Sequence, residues 1–111
     1  MELAFAEKNF RDLCYNELLA KQAYGSMLAG KLKRILADLG AATVVTDLFL
    51  LPGNTRELTG GLRGKMVINL VDEHQLVFQA GHVNPPVLQS GEVDWSRVRR
   101  IKLLGLEKNH E

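Results

Sequence analysis

The sequence predicts an α+β domain in which two N-terminal helices pack on a small antiparallel β-sheet. Three observations predict it. Apolar residues recur at intervals of three and four through the first forty positions, the texture then changes to short apolar runs divided by turn residues, and 111 residues suffice for one core. The whole chain, 1–111, is therefore expected to be a single domain.

Taken in order, Glu2 to Ala6 is a short strand candidate. Phe10, Leu13, Cys14 and Leu18 form one apolar stripe, and Tyr24, Leu28, Leu32, Ile35, Leu36 and Leu39 form a stronger one, which predicts two amphipathic helices joined near Ala20 to Gly25. Gly40 is a plausible stop for the second. Leu51-Pro52-Gly53-Asn54 signals a turn, Arg56 to Thr59 a short strand, and Gly60-Gly61-Leu62-Arg63-Gly64 a glycine-rich hairpin turn. That turn lacks the lysine-serine ending of a phosphate-binding loop. Lys65 to Val71 and Gln75 to Ala80 flank Asp72-Glu73-His74 and read as an antiparallel hairpin. Pro85-Pro86 and Ser90-Gly91 bracket an irregular connection that cannot be a central strand. Arg99 to Leu106 then alternates, with Arg100, Lys102 and Leu104 on one face and Ile101 and Leu103 on the other.

Composition narrows the function classes. An apolar fraction of 46% against 24% charged is that of a folding chain rather than a disordered one. The single cysteine, Cys14, permits no intramolecular disulfide and suits a reducing compartment. The first ten residues, MELAFAEKNF, contain charges and no apolar run long enough for a signal or a span, so the cytoplasm is the expected location and no membrane partner is expected. The three histidines lack ligand spacing, no triad or dinucleotide motif stands out, and neither a metal nor another cofactor is expected.

The net charge of +1 conceals a basic strip. Between Arg97 and Lys108 lie Arg97, Arg99, Arg100, Lys102 and Lys108 against Glu107 alone. Such a strip either faces phosphates or guards a strand edge by charge. If the strands form a meander, Arg56, Arg63, Lys65, Gln75, Asn109 and His110 gather near one end of it. Groups of that kind suit RNA cleavage, which needs a base for the 2′-hydroxyl, cations for the developing phosphorane charge and an acid for the leaving oxygen. His110 is the candidate acid or base, because histidine alone titrates near neutrality unperturbed. His74 and His82 fall in a turn and a loop, where a solvated histidine is the ordinary outcome. Cys14 reads as a core residue, and Trp95 as the anchor of a loop. Lys31, Lys33 and Arg34 flank the stripe of the second helix, as a solvated face or as phosphate contacts.

These residues also resemble a known family. Arg56-Glu57-Leu58-Thr59-Gly60, then Gly64-Lys65 and Met66-Val67-Ile68-Asn69-Leu70, look like the "HELTGDRKGQ" segment and following strand of HigB-like toxins of the RelE/ParE superfamily. Leu76-Val77-Phe78, Gly91 to Ser96 and Ile101 to His110 continue the likeness in the same order, over about half the chain. The resemblance implies a RelE/ParE-like fold, a toxin of a type II toxin-antitoxin system, and metal-independent cleavage of mRNA on the ribosome. It also implies a helix-turn-helix antitoxin of the HigA type as partner, with DNA reached only through that antitoxin.

Carried over by position, Arg56 and His110 become the catalytic candidates, and Arg63, Lys65, Gln75, Arg100, Lys102, Lys108 and Asn109 the RNA-binding ones. Arg56 stands where the family commonly has histidine, and Gln75 where the "YRLIF" strand has arginine. Lys108-Asn109-His110 replaces "DYH". These departures keep open an alternative, a catalytically weak or inactive protein of the same fold that acts by binding its antitoxin, RNA or another target such as gyrase.

Overall fold

A computed structural model describes residues 1–58 and 64–108. The order of elements is β1 (Glu2–Phe5), α1 (Lys8–Tyr15), α2 (Glu17–Tyr24), α3 (Ser26–Ala41), a 3₁₀ helix (Val45–Leu50), β2 (Arg56–Glu57), β3 (Lys65–Asn69), β4 (His74–Ala80), a one-turn 3₁₀ helix (Trp95–Arg97) and β5 (Arg100–Lys108). Helices on one side of a sheet give the α+β architecture that the sequence predicts.

The helical region is cut in three rather than two. Asn16 leaves helical geometry at φ −124° and ψ 102°, and its Oδ1 accepts from the Leu19 amide, so it caps α2. That break re-phases the chain. Leu18, expected on the buried stripe with Phe10 and Cys14, instead points outward and is 66% exposed, while Ala20 takes the inner position. Gly25 closes α2 at φ +83°, a conformation that glycine adopts without a side-chain penalty. α3 runs one residue past Gly40 and buries Leu28, Leu32, Ile35 and Leu39.

Among the described residues, one sheet has the strand order β1-β5-β4-β3-β2. β2 to β5 form the expected antiparallel meander. β1 departs from it, running parallel to β5 with Glu2 opposite Arg100 and Phe5 opposite Leu103, so the sheet is mixed. The sequence offers Glu2 to Ala6 as a short strand but carries no information on its direction relative to a partner so distant in the chain.

The core lies between helices and sheet. Leu32, Ile35 and Leu39 of α3 meet Met66, Ile68, Leu76, Phe78, Ile101 and Leu103 of the strands. Trp95 closes one end, 8% exposed and edge-on to Phe78 at 6.5 Å, and so anchors the β4–β5 connection. Cys14 packs half-buried against this core. Burial pushes its thiol up to about 12, which makes it inert rather than nucleophilic. No helix of the described residues is long and apolar enough to cross a membrane.

Candidate functional site

The sheet has a second face, turned away from the helices, and cross-strand pairing shows what occupies it. Residues directly opposite in antiparallel strands project to the same side. Lys65 pairs with Gln79, which pairs with Lys102. Arg56 pairs with Val67, which pairs with Val77. Asn69 pairs with Gln75, and Gln75 with Glu107. Val67 and Val77 are buried at 0% and 4% exposure, forming a dry floor. Arg56, Lys65, Asn69, Gln75, Gln79, Lys102 and Glu107 surround it.

Arg56 is the best-fixed cation of this face. The chain turns through Gly53 at φ +115° and Asn54 at φ +50°, and the Asn69 amide donates to the Gly53 carbonyl at 2.7 Å, which ties the turn to the end of β3. The Arg56 guanidinium then donates through Nη1 to the Asn54 carbonyl and Asn69 Oδ1, each at 3.1 Å, and through Nη2 towards Gln75 Oε1 at 3.5 Å. Gln75 is 8% exposed, a buried amide that offers an acceptor and no charge. Next to Arg56, Glu57 Oε2 accepts from the Gly64 amide, and the Leu58 amide donates to the Lys65 carbonyl, so both ends of the β2–β3 connection are held.

Two of the candidates named from sequence, Arg56 and Gln75, are thus brought together. Lys65 and Lys102 share their face, two strands apart and therefore about 10 Å from each other across the sheet. Arg100 lies further along at the β1 edge, where its Nη1 stands 3.7 Å from Glu2 Oε2. Lys108 is exposed and pairs with His74, so it projects to the side opposite Glu107. Arg63, Asn109 and His110 lie outside the described residues. The basic strip is not one surface: Arg97 is occupied by Asp94 at 2.8 Å and by the Val87 carbonyl, and Arg99 and Arg100 alternate in direction.

Sequence reasoning missed Asn69, the side-chain acceptor at 3.1 Å that orients Arg56. A signal was present, an amide closing the otherwise apolar run Met66-Val67-Ile68. The two other histidines are partly buried rather than fully solvated. His82 Nε2 accepts from the Arg99 and Arg100 amides at 3.0 and 3.3 Å, and His74 has a buried Nδ1 with no partner among the described residues. Lys33 is engaged with Glu17 at 3.3 Å, and this bond, with Lys21 nearby, holds the Glu17 carboxyl below its usual range. Among the described residues no group of histidine, cysteine and carboxylates could hold a metal ion.

At the level of sequence, no protein-family model matches the chain and a search of curated proteins finds no match. Solved structures do match. A YoeB/ParE toxin from Agrobacterium tumefaciens is similar over 99% of this chain and 100% of its own, at 13% identity and a TM-score of 0.59. The chain has the YoeB/ParE toxin fold. A YoeB dimer from Staphylococcus aureus is similar over 100% of this chain and 98% of its own, at 18% identity and a TM-score of 0.56. A heterotetrameric YoeB-YefM toxin-antitoxin complex from the same organism matches with a TM-score of 0.54, at the same identity and coverage. Identities this low establish the YoeB/ParE fold and leave the chemistry to the residues of the second sheet face.

Proposed function

We propose that this protein is the toxin of a type II toxin-antitoxin pair, of the HigB type, which cleaves mRNA on the translating ribosome. The observation that carries the reading is Arg56, bonded across three strands to Asn69 and Gln75 on the face that also bears Lys65 and Lys102. A guanidinium held from behind presents its remaining donors in a fixed direction, as stabilisation of a phosphorane requires. Lys65 and Lys102 suit the flanking phosphates, and Arg63, Arg100 and Asn109 are the further RNA contacts, while Lys108 projects to the other side of β5 and is set aside. His110 is the proton-transfer group. The 2′-oxygen attacks the adjacent phosphorus and the 5′-oxygen leaves, which requires neither metal nor cofactor.

Neighbours of the same fold form complexes with an antitoxin, and this chain is proposed to pair with a helix-turn-helix antitoxin of the HigA type in the cytoplasm, meeting DNA only through it. Induced expression should arrest growth, primer extension should reveal new mRNA 5′ ends, and Arg56→Ala or His110→Ala should abolish both. Growth arrest with intact mRNA would overturn the nuclease reading. A second reading has an observation of its own: the centre of the site holds the neutral amide of Gln75, and Arg56 is already engaged by three acceptors. That composition suits binding without cleavage, of RNA or of a target such as gyrase.

A further inference from the structure

The last strand changes sides part-way along. Ile101 and Leu103 face the core, and strict alternation would send residues 105 and 107 to the core as well. The register shifts instead between Val77 and Phe78, with Phe78 opposite Leu103 and Val77 opposite Gly105, so that Leu104 is an extra residue. This is a β-bulge, and Gly105 within it sits at φ +142°. Beyond the bulge the parity is reversed. Leu106 packs against the core, and Glu107, opposite Gln75, comes out on the second face.

The bulge therefore delivers a carboxylate to the same row as Asn69 and Gln75, with Gln75 between it and the Arg56 guanidinium. Opposed residues place their Cβ atoms about 5 Å apart, so Glu107 stands beside Gln75 on one side and the Arg56 guanidinium reaches Gln75 Oε1 from the other. Glu107 is exposed, and its carboxylate is free to reach a bound chain. Among the described residues the other charged or titratable groups at this end are Asp72 and Glu73 in the β3–β4 turn, and Lys108 and His74, which pair with each other across β4 and β5.

We infer that Glu107 is a catalytic residue, the general base that takes the proton from the 2′-hydroxyl; this rests on the RNA-cleavage reading of the site. The nucleotide is held with its scissile phosphate on Arg56. As the 2′-oxygen forms its bond to phosphorus, its proton passes to a Glu107 carboxylate oxygen. The bond from phosphorus to the 5′-oxygen breaks, that oxygen is protonated by the proton-transfer group of the cleavage reading, and the products are a 2′,3′-cyclic phosphate and a 5′-hydroxyl end. Glu107 then returns its proton to solvent.

The test uses the full chain in excess over ribosomes programmed with a defined mRNA, and reads the single-turnover cleavage rate against pH. Glu107→Gln should slow cleavage by about 10²- to 10⁴-fold and remove the limb on which the wild-type rate rises with pH. Its affinity for ribosomes carrying an mRNA with a 2′-deoxy scissile nucleotide should be unchanged or tighter, because a carboxylate near phosphates has been neutralised. Glu107→Asp should recover part of the rate, and Glu73→Gln, in the β3–β4 turn, should leave it intact. Wild-type cleavage with Glu107→Gln within threefold and an unchanged pH profile would overturn the role of Glu107 alone. Absence of cleavage by the wild type would overturn it together with the nuclease reading.

Discussion

A single added methyl at Gly53 should cost this fold several kcal/mol. Gly53 has φ +115°, and a Cβ built there would lie 2.7 Å from Ile68 Cγ2 and 3.3 Å from the Asn69 carbonyl oxygen. Carbon atoms prefer separations of about 3.5–4.0 Å, so the first contact is roughly 1 Å too close. Ile68 is 2% exposed and enclosed by the core, and the second atom belongs to the backbone of β3, so neither can yield freely. Backbone strain of about 1–3 kcal/mol and overpacking of about 1–3 kcal/mol together give roughly 2–6 kcal/mol, a large part of the about 5–15 kcal/mol that stabilises a typical domain. Urea denaturation of Gly53→Ala, followed by circular dichroism, measures the loss directly. Gly25→Ala is the comparison. It also has positive φ, at +83°, but nothing lies within 4 Å of the added atom, so it carries strain without collision. Equal losses in the two variants would refute the claim that the turn before β2 is clamped against β3, and with it the account of how Arg56 is held in place.

Other outcomes follow from the same contacts. Asn69→Ala should remove the nearer of the two side-chain acceptors of the Arg56 guanidinium and leave only Gln75 Oε1 at 3.5 Å, costing about 1–3 kcal/mol in thermal unfolding and lowering cleavage more than Lys102→Ala does. Cys14, with its thiol raised from 9.0 to about 12, should react about a thousandfold more slowly with a disulfide reagent at pH 8 than it does in urea; equal rates would refute its burial. The raised value means that this thiol favours folding below the unfolded value and loses that contribution as pH rises through about 12. Asp94 is depressed by the Ser96 hydroxyl and by Arg97, so its contribution is present above the ordinary carboxylate range and lost as pH falls through its folded value. The stability gap between wild type and Asp94→Asn should therefore be widest near neutrality and close in acid. Phe78→Ala, at a fully buried position, should cost about 3–5 kcal/mol by denaturant titration.

The elements visible in the sequence are those set by local periodicity. The α3 stripe and the β3–β4 hairpin depend on neighbours within a few residues, and the turn at Asp72-Glu73 announces itself by residue type, with both residues at positive φ. Leu18 was misplaced because periodicity continued across Asn16, where one residue outside helical geometry rotates everything after it. The partner of β1 was invisible because direction and register between Glu2 and Arg100 are decided by the finished core. In the site, Arg56 and Gln75 were legible as polar residues at strand starts, while Asn69 was concealed as the tail of an apolar run. Glu107 was concealed by an alternation that changes sides. An isolated glycine inside a strand is the residue-level mark of such a change, and Gly105 bears it.

The parallel pairing of β1 with β5 has a bearing on when the molecule becomes itself. Glu2 and Ala6 donate to the carbonyls of Arg99 and Leu103, so β1 waits for β5, almost a hundred residues later, before its hydrogen bonds can close. Until then α3 covers a sheet that lacks the strand lying between β1 and β4. Closing contacts over such sequence separations is slow, because the loop entropy is spent before the pairing is gained. Until β5 is in place, Lys102 is absent from the face that carries Arg56 and Lys65, and β1 has no strand to pair with.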